Sequence, residues 1–185
     1  MRKLIVCAAA VTACAMSSGA AAQAYASVAA GRGVIKVDCA GASTCDSSDD
    51  PAYRFIAGHR FLNGLAVELG ITDYGTASYH GVGTYATVMT NGISAGLAFD
   101  APVNSSFGFI SRAGITQLKT EVEISTTFLP VRRTGKNIAP YVGLGLYVMP
   151  WRNIRVEAGV DLSRAEVSGE KIDLRALLVG VRLLF

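Results

Sequence analysis

The chain has 185 residues, enough for one domain. Charged residues make up 17% and hydrophobic residues 51%, with 20 glycines and a net charge of +3. No apolar run of about 18 residues follows the N-terminus, which excludes a membrane-spanning helix. No basic cluster with interleaved aromatics is present, which excludes a nucleic-acid surface. The apolar residues lie in short alternating runs.

The first 24 residues read as a cleaved signal peptide. Arg2 and Lys3 form a charged start, Leu4 to Ala15 an apolar stretch, and Ala22-Gln23-Ala24 a small-residue cleavage site. The mature chain is then 25–185, beginning at Tyr25, with 15 basic against 14 acidic residues. Val11-Thr12-Ala13-Cys14 loosely fits a lipoprotein box, but the apolar stretch before Cys14 is short for one. Export leaves Cys39 and Cys45 as an even pair in an oxidising compartment, where a disulfide across a small loop is expected. No His or further Cys lies nearby to complete a metal site.

The mature chain reads as strands of period two. Ala26 to Val37 is a first strand, containing Gly31 and Gly33, and Tyr53 to Arg60 a second. In Leu65 to Thr72, Leu65, Val67, Leu69 and Ile71 face one way and Ala66, Glu68, Gly70 and Thr72 the other. The fourth strand has its core at Ile93 to Phe99 and starts nearer Ala86; the fifth is Phe107 to Ile115. Ala139 to Met149 sets Val142, Leu144 and Leu146 against Tyr141, Gly143, Gly145 and Tyr147. Ile154 to Leu162 alternates strictly, with Arg155, Glu157, Gly159 and Asp161 on the less apolar face. The last strand, from about Ile172, carries Leu177, Val179, Val181, Leu183 and Phe185 on one face and Leu178, Gly180, Arg182 and Leu184 on the other. Eight strands suit a bacterial membrane barrel.

Three connections read as short turns, at 61–64, 100–106 and 150–153, and four as longer loops, at 40–52, 73–85, 119–137 and 164–171. Short periplasmic turns opposite longer outer loops are the outer-membrane arrangement. The fold class is therefore all-β, an eight-stranded antiparallel up-and-down transmembrane barrel with its apolar face to lipid.

Several segments resemble the eight-stranded OmpA-type barrel and its small relatives of the OmpX/Ail type. They are Phe55 to Gly70, with its short turn followed by Ala66-Val67-Glu68-Leu69-Gly70, then Ala139 to Gly145, then the ending Leu177 to Phe185. The resemblance covers essentially the whole mature chain. It implies residence in the outer membrane of a Gram-negative bacterium, among lipid and lipopolysaccharide. It also implies a C-terminal signal at Val181, Leu183 and Phe185 for the barrel-assembly machinery. The peptidoglycan-binding domain of the larger relatives is missing, so cell-wall anchoring is not carried over.

The inward phase collects Arg54, Glu68, Arg112, Arg155, Glu157, Asp161 and Arg182, with Arg175 less securely placed. Both signs occur, and buried charges are costly unless paired, so a packed network of ion pairs is expected. Eight strands give a lumen that side chains can fill. A narrow ion or solute channel is the alternative. Tyr53, Phe61, Phe99, Phe107, Tyr141 and Trp151 fall near strand ends, where interfacial girdles lie, with ordinary turn packing as the alternative. No catalytic, cofactor or metal residues are expected. A lipid-modifying barrel enzyme needs His and Ser together on the outer lipid face. His59 lies by a periplasmic turn, and His80, near Ser78, falls in an expected loop. Gly81-Val82-Gly83 does not form a dinucleotide-binding loop. The expected role is structural, with outer loops available to a host or surface ligand.

Overall fold

The computed structural model describes residues 23–37, 50–61, 64–81, 84–126, 130–167 and 170–185. Residues 1–22 of the signal segment and the Cys39–Cys45 loop lie outside them, whereas Gln23 and Ala24 begin β1. Eight strands follow in chain order: β1 (Gln23–Val37), β2 (Asp50–Arg60), β3 (Leu65–Gly81), β4 (Thr84–Pro102), β5 (Phe107–Thr126), β6 (Pro130–Trp151), β7 (Ile154–Val167) and β8 (Glu170–Leu184). Each pairs antiparallel with its neighbour, and β1 pairs with β8 to close the barrel. Tyr25 opposite Leu184 opens that closing ladder. Closure leaves no free edge at membrane depth, where unpaired backbone groups have no water to bond.

The turns at one end are tight. Gly64, at a φ of 80°, reverses the chain between β2 and β3, a left-handed conformation natural to glycine. Asn104 Oδ1 accepts the backbone N–H groups of Ser106 and Phe107 at 2.9 and 2.8 Å between β4 and β5. Two turns are shorter than expected from the sequence, because Asp100–Pro102 continue β4 and Pro150–Trp151 continue β6.

The other end departs further from expectation. The stretches 73–81, 84–85, 119–126, 130–137, 164–167 and 170–171 are strand, not loop, and 50–52 belong to β2. The cause is an inversion of the hydrophobic phase. Near the turns, outward residues are apolar and the inward ones set the charges beside a buried apolar cluster that includes Ile56, Ala66, Ala98 and Ile110. On β5, Phe109, Ala113 and Ile115 face out, followed by Gln117, Lys119, Glu121 and Glu123 in the same phase. Its inward positions run from Arg112 and Thr116 to Leu118. The same change occurs at Arg32 on β1, Asn91 on β4, Lys136 on β6, Arg164 on β7 and Arg175 on β8. On these strands the period of two continues, and the solvent outside the wall changes from hydrocarbon to water. Arg175 consequently faces outward and is exposed, which corrects its inward assignment.

On β3 the change coincides with a bulge. The register shifts between Asp73 and Thr76, moving the buried phase from Tyr74 to Ala77. Gly75, at a φ of 84°, occupies the bulge, and the N–H of Thr76 donates to Asp50 Oδ2 at 3.1 Å. That phase slip hid the outer half of β3 from a period-two reading.

Below the collar of polar residues the outside is a continuous apolar belt. Leu69, Ile93, Leu144 and Leu177 lie at mid-height, with Phe61, Phe99, Phe109 and Trp151 outward near the turns. Tyr53 lies outward on β2, opposite Asp73. Phe107 is half-buried and meets Phe109 edge-on at 5.4 Å. Tyr141 is buried inside the barrel, contrary to its girdle assignment. Leu144→Arg places a charge in mid-belt and should cost about 2–4 kcal/mol of folding free energy. Thr134→Arg, on the same face of β6 above the collar, should change it by less than about 0.5 kcal/mol. Urea titrations of both variants in lipid vesicles measure the difference, and equal losses would displace the membrane boundary assigned here.

Candidate functional site

Period two brings one polar phase from every strand into a narrow lumen. Arg54 (β2), Glu68 (β3), Arg112 (β5), Arg155, Glu157 and Asp161 (β7) and Arg182 (β8) are all buried. Arg182 is fully buried and sits at the centre. Its Nε lies 2.6 Å from Glu157 Oε1, its Nη2 3.3 Å from Glu68 Oε1 and its Nη1 3.6 Å from Asp100 Oδ1. The guanidinium also stacks over the Tyr25 ring, 4.0 Å from the centroid. Arg112 bridges the same two glutamates, with Nε 3.1 Å from Glu68 and Nη2 2.7 Å from Glu157. Tyr25 donates its hydroxyl hydrogen to Glu68 at 2.6 Å. Arg54 pairs with Asp161 toward the outer end, and Arg155 with Asp100 toward the turns.

Four buried arginines thus face four buried carboxylates among the described residues. Asp100 is the member that the sequence reading missed, having been assigned to a turn. Its signal was available: Ala98 and Asp100 share the inward phase, with outward Phe99 between them. Tyr25 and Tyr147 were also missed as network partners; Tyr147 lies under the Arg155 guanidinium at 4.4 Å. The inward tyrosines occupy space left by glycine. A Cβ at Gly58 would come within 2.3 Å of the Tyr25 ring, and one at Gly114 within 2.7 Å of the Tyr141 ring.

The lumen is closed in two layers. Above the charges, Ile35, Tyr74, Val88, Leu118, Leu174 and Leu178 belong to an apolar cluster. The void beside Arg54, Thr72, Ser94 and Tyr141 measures about 10 Å³, enough for at most one water.

Other expected features fall elsewhere. Among the described residues, no group of His, Cys, Asp and Glu is arranged to hold a metal. His59 lies by the β2–β3 turn, edge-on to Phe61 at 5.4 Å. His80 and Ser78 belong to β3 rather than to a loop. Val181, Leu183 and Phe185 lie exposed on one face of the closing strand. On the outer wall above the belt, hydrogen bonds from Lys119 and Arg132 hold the half-buried Glu121 carboxyl well below the usual carboxylate range. Such surface pairs contribute little to stability.

These features define a closed, plugged membrane barrel. A family model described as "Outer membrane protein beta-barrel domain" matches residues 5–185. The chain belongs to that family and resides in the outer membrane of a Gram-negative bacterium. It is similar in fold to Neisserial surface protein A, with a TM-score of 0.66, 20% identity, and coverage of 88% of this chain and 97% of that one. It is also similar to Ail of Yersinia pestis, crystallised with the heparin analogue sucrose octasulfate, at a TM-score of 0.59 and 14% identity, covering 88% and 99%. OprG of Pseudomonas aeruginosa gives a TM-score of 0.60 at 14% identity, covering 90% and 98%. No curated protein matches the chain in sequence.

Removing one partner of a buried ion pair costs about 3–5 kcal/mol. Glu157→Ala strips Arg112 and Arg182 of a shared carboxylate and should lower stability by that amount. Glu123→Ala, on the exposed outer wall, should cost less than about 0.5 kcal/mol. Unfolding midpoints in the same lipid or detergent compare them. Equal, small effects would mean that water reaches Glu157.

Proposed function

We propose that this barrel is a structural and interaction protein, strengthening the outer membrane and presenting its outer strand ends and loops for adhesion or host contact. The observation that supports this most is the filled lumen, with its central void of about 10 Å³ beneath an apolar layer. A narrow channel is the second reading, favoured by the charges along the interior. It requires the Arg54–Asp161 pair to separate and the apolar layer above to part. Lipid and lipopolysaccharide are the partners the apolar belt fits. Neither a cofactor nor catalysis enters this proposal.

The purified barrel in planar bilayers should show no stepwise conductance. A strain lacking the protein should lose membrane integrity and serum resistance. Sustained conductance steps that change in Arg54→Ala would favour the channel and displace the structural role.

Biogenesis is part of the proposal. Residues 1–24 are removed on export, Val181, Leu183 and Phe185 serve the assembly machinery, and Cys39 and Cys45 form a disulfide in the first outer loop. The cleavage point bears on β1, since Ala24 accepts the Phe185 N–H at 2.9 Å and Gln23 accepts a hydrogen bond from Arg60. Cleavage after Ala24 removes both contacts and leaves Tyr25 opposite Leu184 as the first closing pair. The intact mass of outer-membrane material should be that of a chain starting at Tyr25 and lacking both thiol hydrogens. A mass retaining Gln23 and Ala24 would move the cleavage two residues back. A mass with both thiols would remove the disulfide.

A further inference from the structure

Beneath the charge network the barrel opens, at its turn end, into a basin of about 910 Å³. Arg60, Arg152 and Arg155 line it, and Asp100 is the one acid among its lining residues. That carboxylate is already shared: it pairs with Arg155, lies 3.5 Å from Arg60 and lies 3.6 Å from Arg182. The four buried arginines and four buried carboxylates balance one another, so Arg60 and Arg152 are surplus positive charge at this mouth. Arg155 is nine-tenths buried and more, yet its Nε has no hydrogen-bond partner among the described residues. The basin also reaches Phe61 and Phe99, the lower edge of the outward apolar belt. It therefore opens at the turn-side edge of that belt.

We propose that this basin binds a phosphate group presented from the periplasmic side. Guanidinium is the side chain best matched to such an ion, because its planar fork donates two parallel charge-assisted hydrogen bonds. Arg152, exposed on the β6–β7 turn, meets the anion first, and Arg60 and Arg155 hold it from the wall. The volume admits a headgroup larger than the bare ion. The phosphate comes either from an anionic phospholipid of the inner leaflet or from a soluble periplasmic solute. The inference rests on the membrane placement and is independent of the structural role proposed above.

The test uses the whole folded barrel in dodecyl maltoside, titrated calorimetrically with inorganic phosphate and with dioctanoyl phosphatidylglycerol. Dioctanoylglycerol, which lacks the phosphate, is the control. Binding of phosphate and of the phospholipid, but not of dioctanoylglycerol, is expected. Arg60→Gln with Arg152→Gln should weaken it about tenfold or more, through the loss of charge-assisted hydrogen bonds. Arg152→Gln alone, in an exposed turn and harmless to folding, should weaken it less but measurably. Arg132→Gln, at the opposite end, should leave it unchanged. Tighter binding of the phospholipid than of free phosphate identifies the headgroup as the source, and the reverse identifies a soluble solute. Absence of binding by both, or an affinity unchanged in both basin variants, overturns the site.

Discussion

The hydrocarbon of the bilayer offers no partner to a backbone N–H or C=O, and the rest of the structure depends on that constraint. Every strand must pair on both sides at membrane depth, so β8 must return to β1. Eight strands enclose a space little wider than the side chains that point into it. The inward phase must therefore pack as a solid. Charges can occupy it only if they balance, and Arg182 is where the balancing converges. Its guanidinium, carried by the last strand, faces carboxylates from β3, β4 and β7 and the Tyr25 ring of β1. Closing the sheet and neutralising the lumen are thus one event.

A second consequence appears where the wall leaves the membrane. Strands do not end at the collar of Arg32, Asn91, Lys136, Arg164 and Arg175. They continue into water with their hydrophobicity largely reversed, mostly apolar inside with the buried Thr90–Thr120 pair, and mostly polar outside. The wall changes from a membrane barrel to a soluble one within the same strands. The apolar layer around Leu118 and Leu174 is the core of that outer section and a lid on the charges below. Above the collar the wall is therefore strand.

Structural similarity at 14–20% identity has the same origin. Alternation, closure and a filled lumen can be met by many residue choices. Such constraints preserve a fold across widely different sequences.

The sequence by itself determined the strand class, the strand number and the lipid-facing phase, because lipid on one side and a narrow lumen on the other impose a strict period of two. Ile154 to Leu162 is legible for that reason alone. Residues near the outer end were less legible. Lys119 to Asn137 look like loop because the alternation inverts there, and β3 slips its phase at Gly75. Only the tertiary structure decided which charges meet. Asp100 lies 82 positions from Arg182 in the chain, and no local pattern pairs them. Barrel shear brings them to one height, and the burial of both makes their balance a condition of folding.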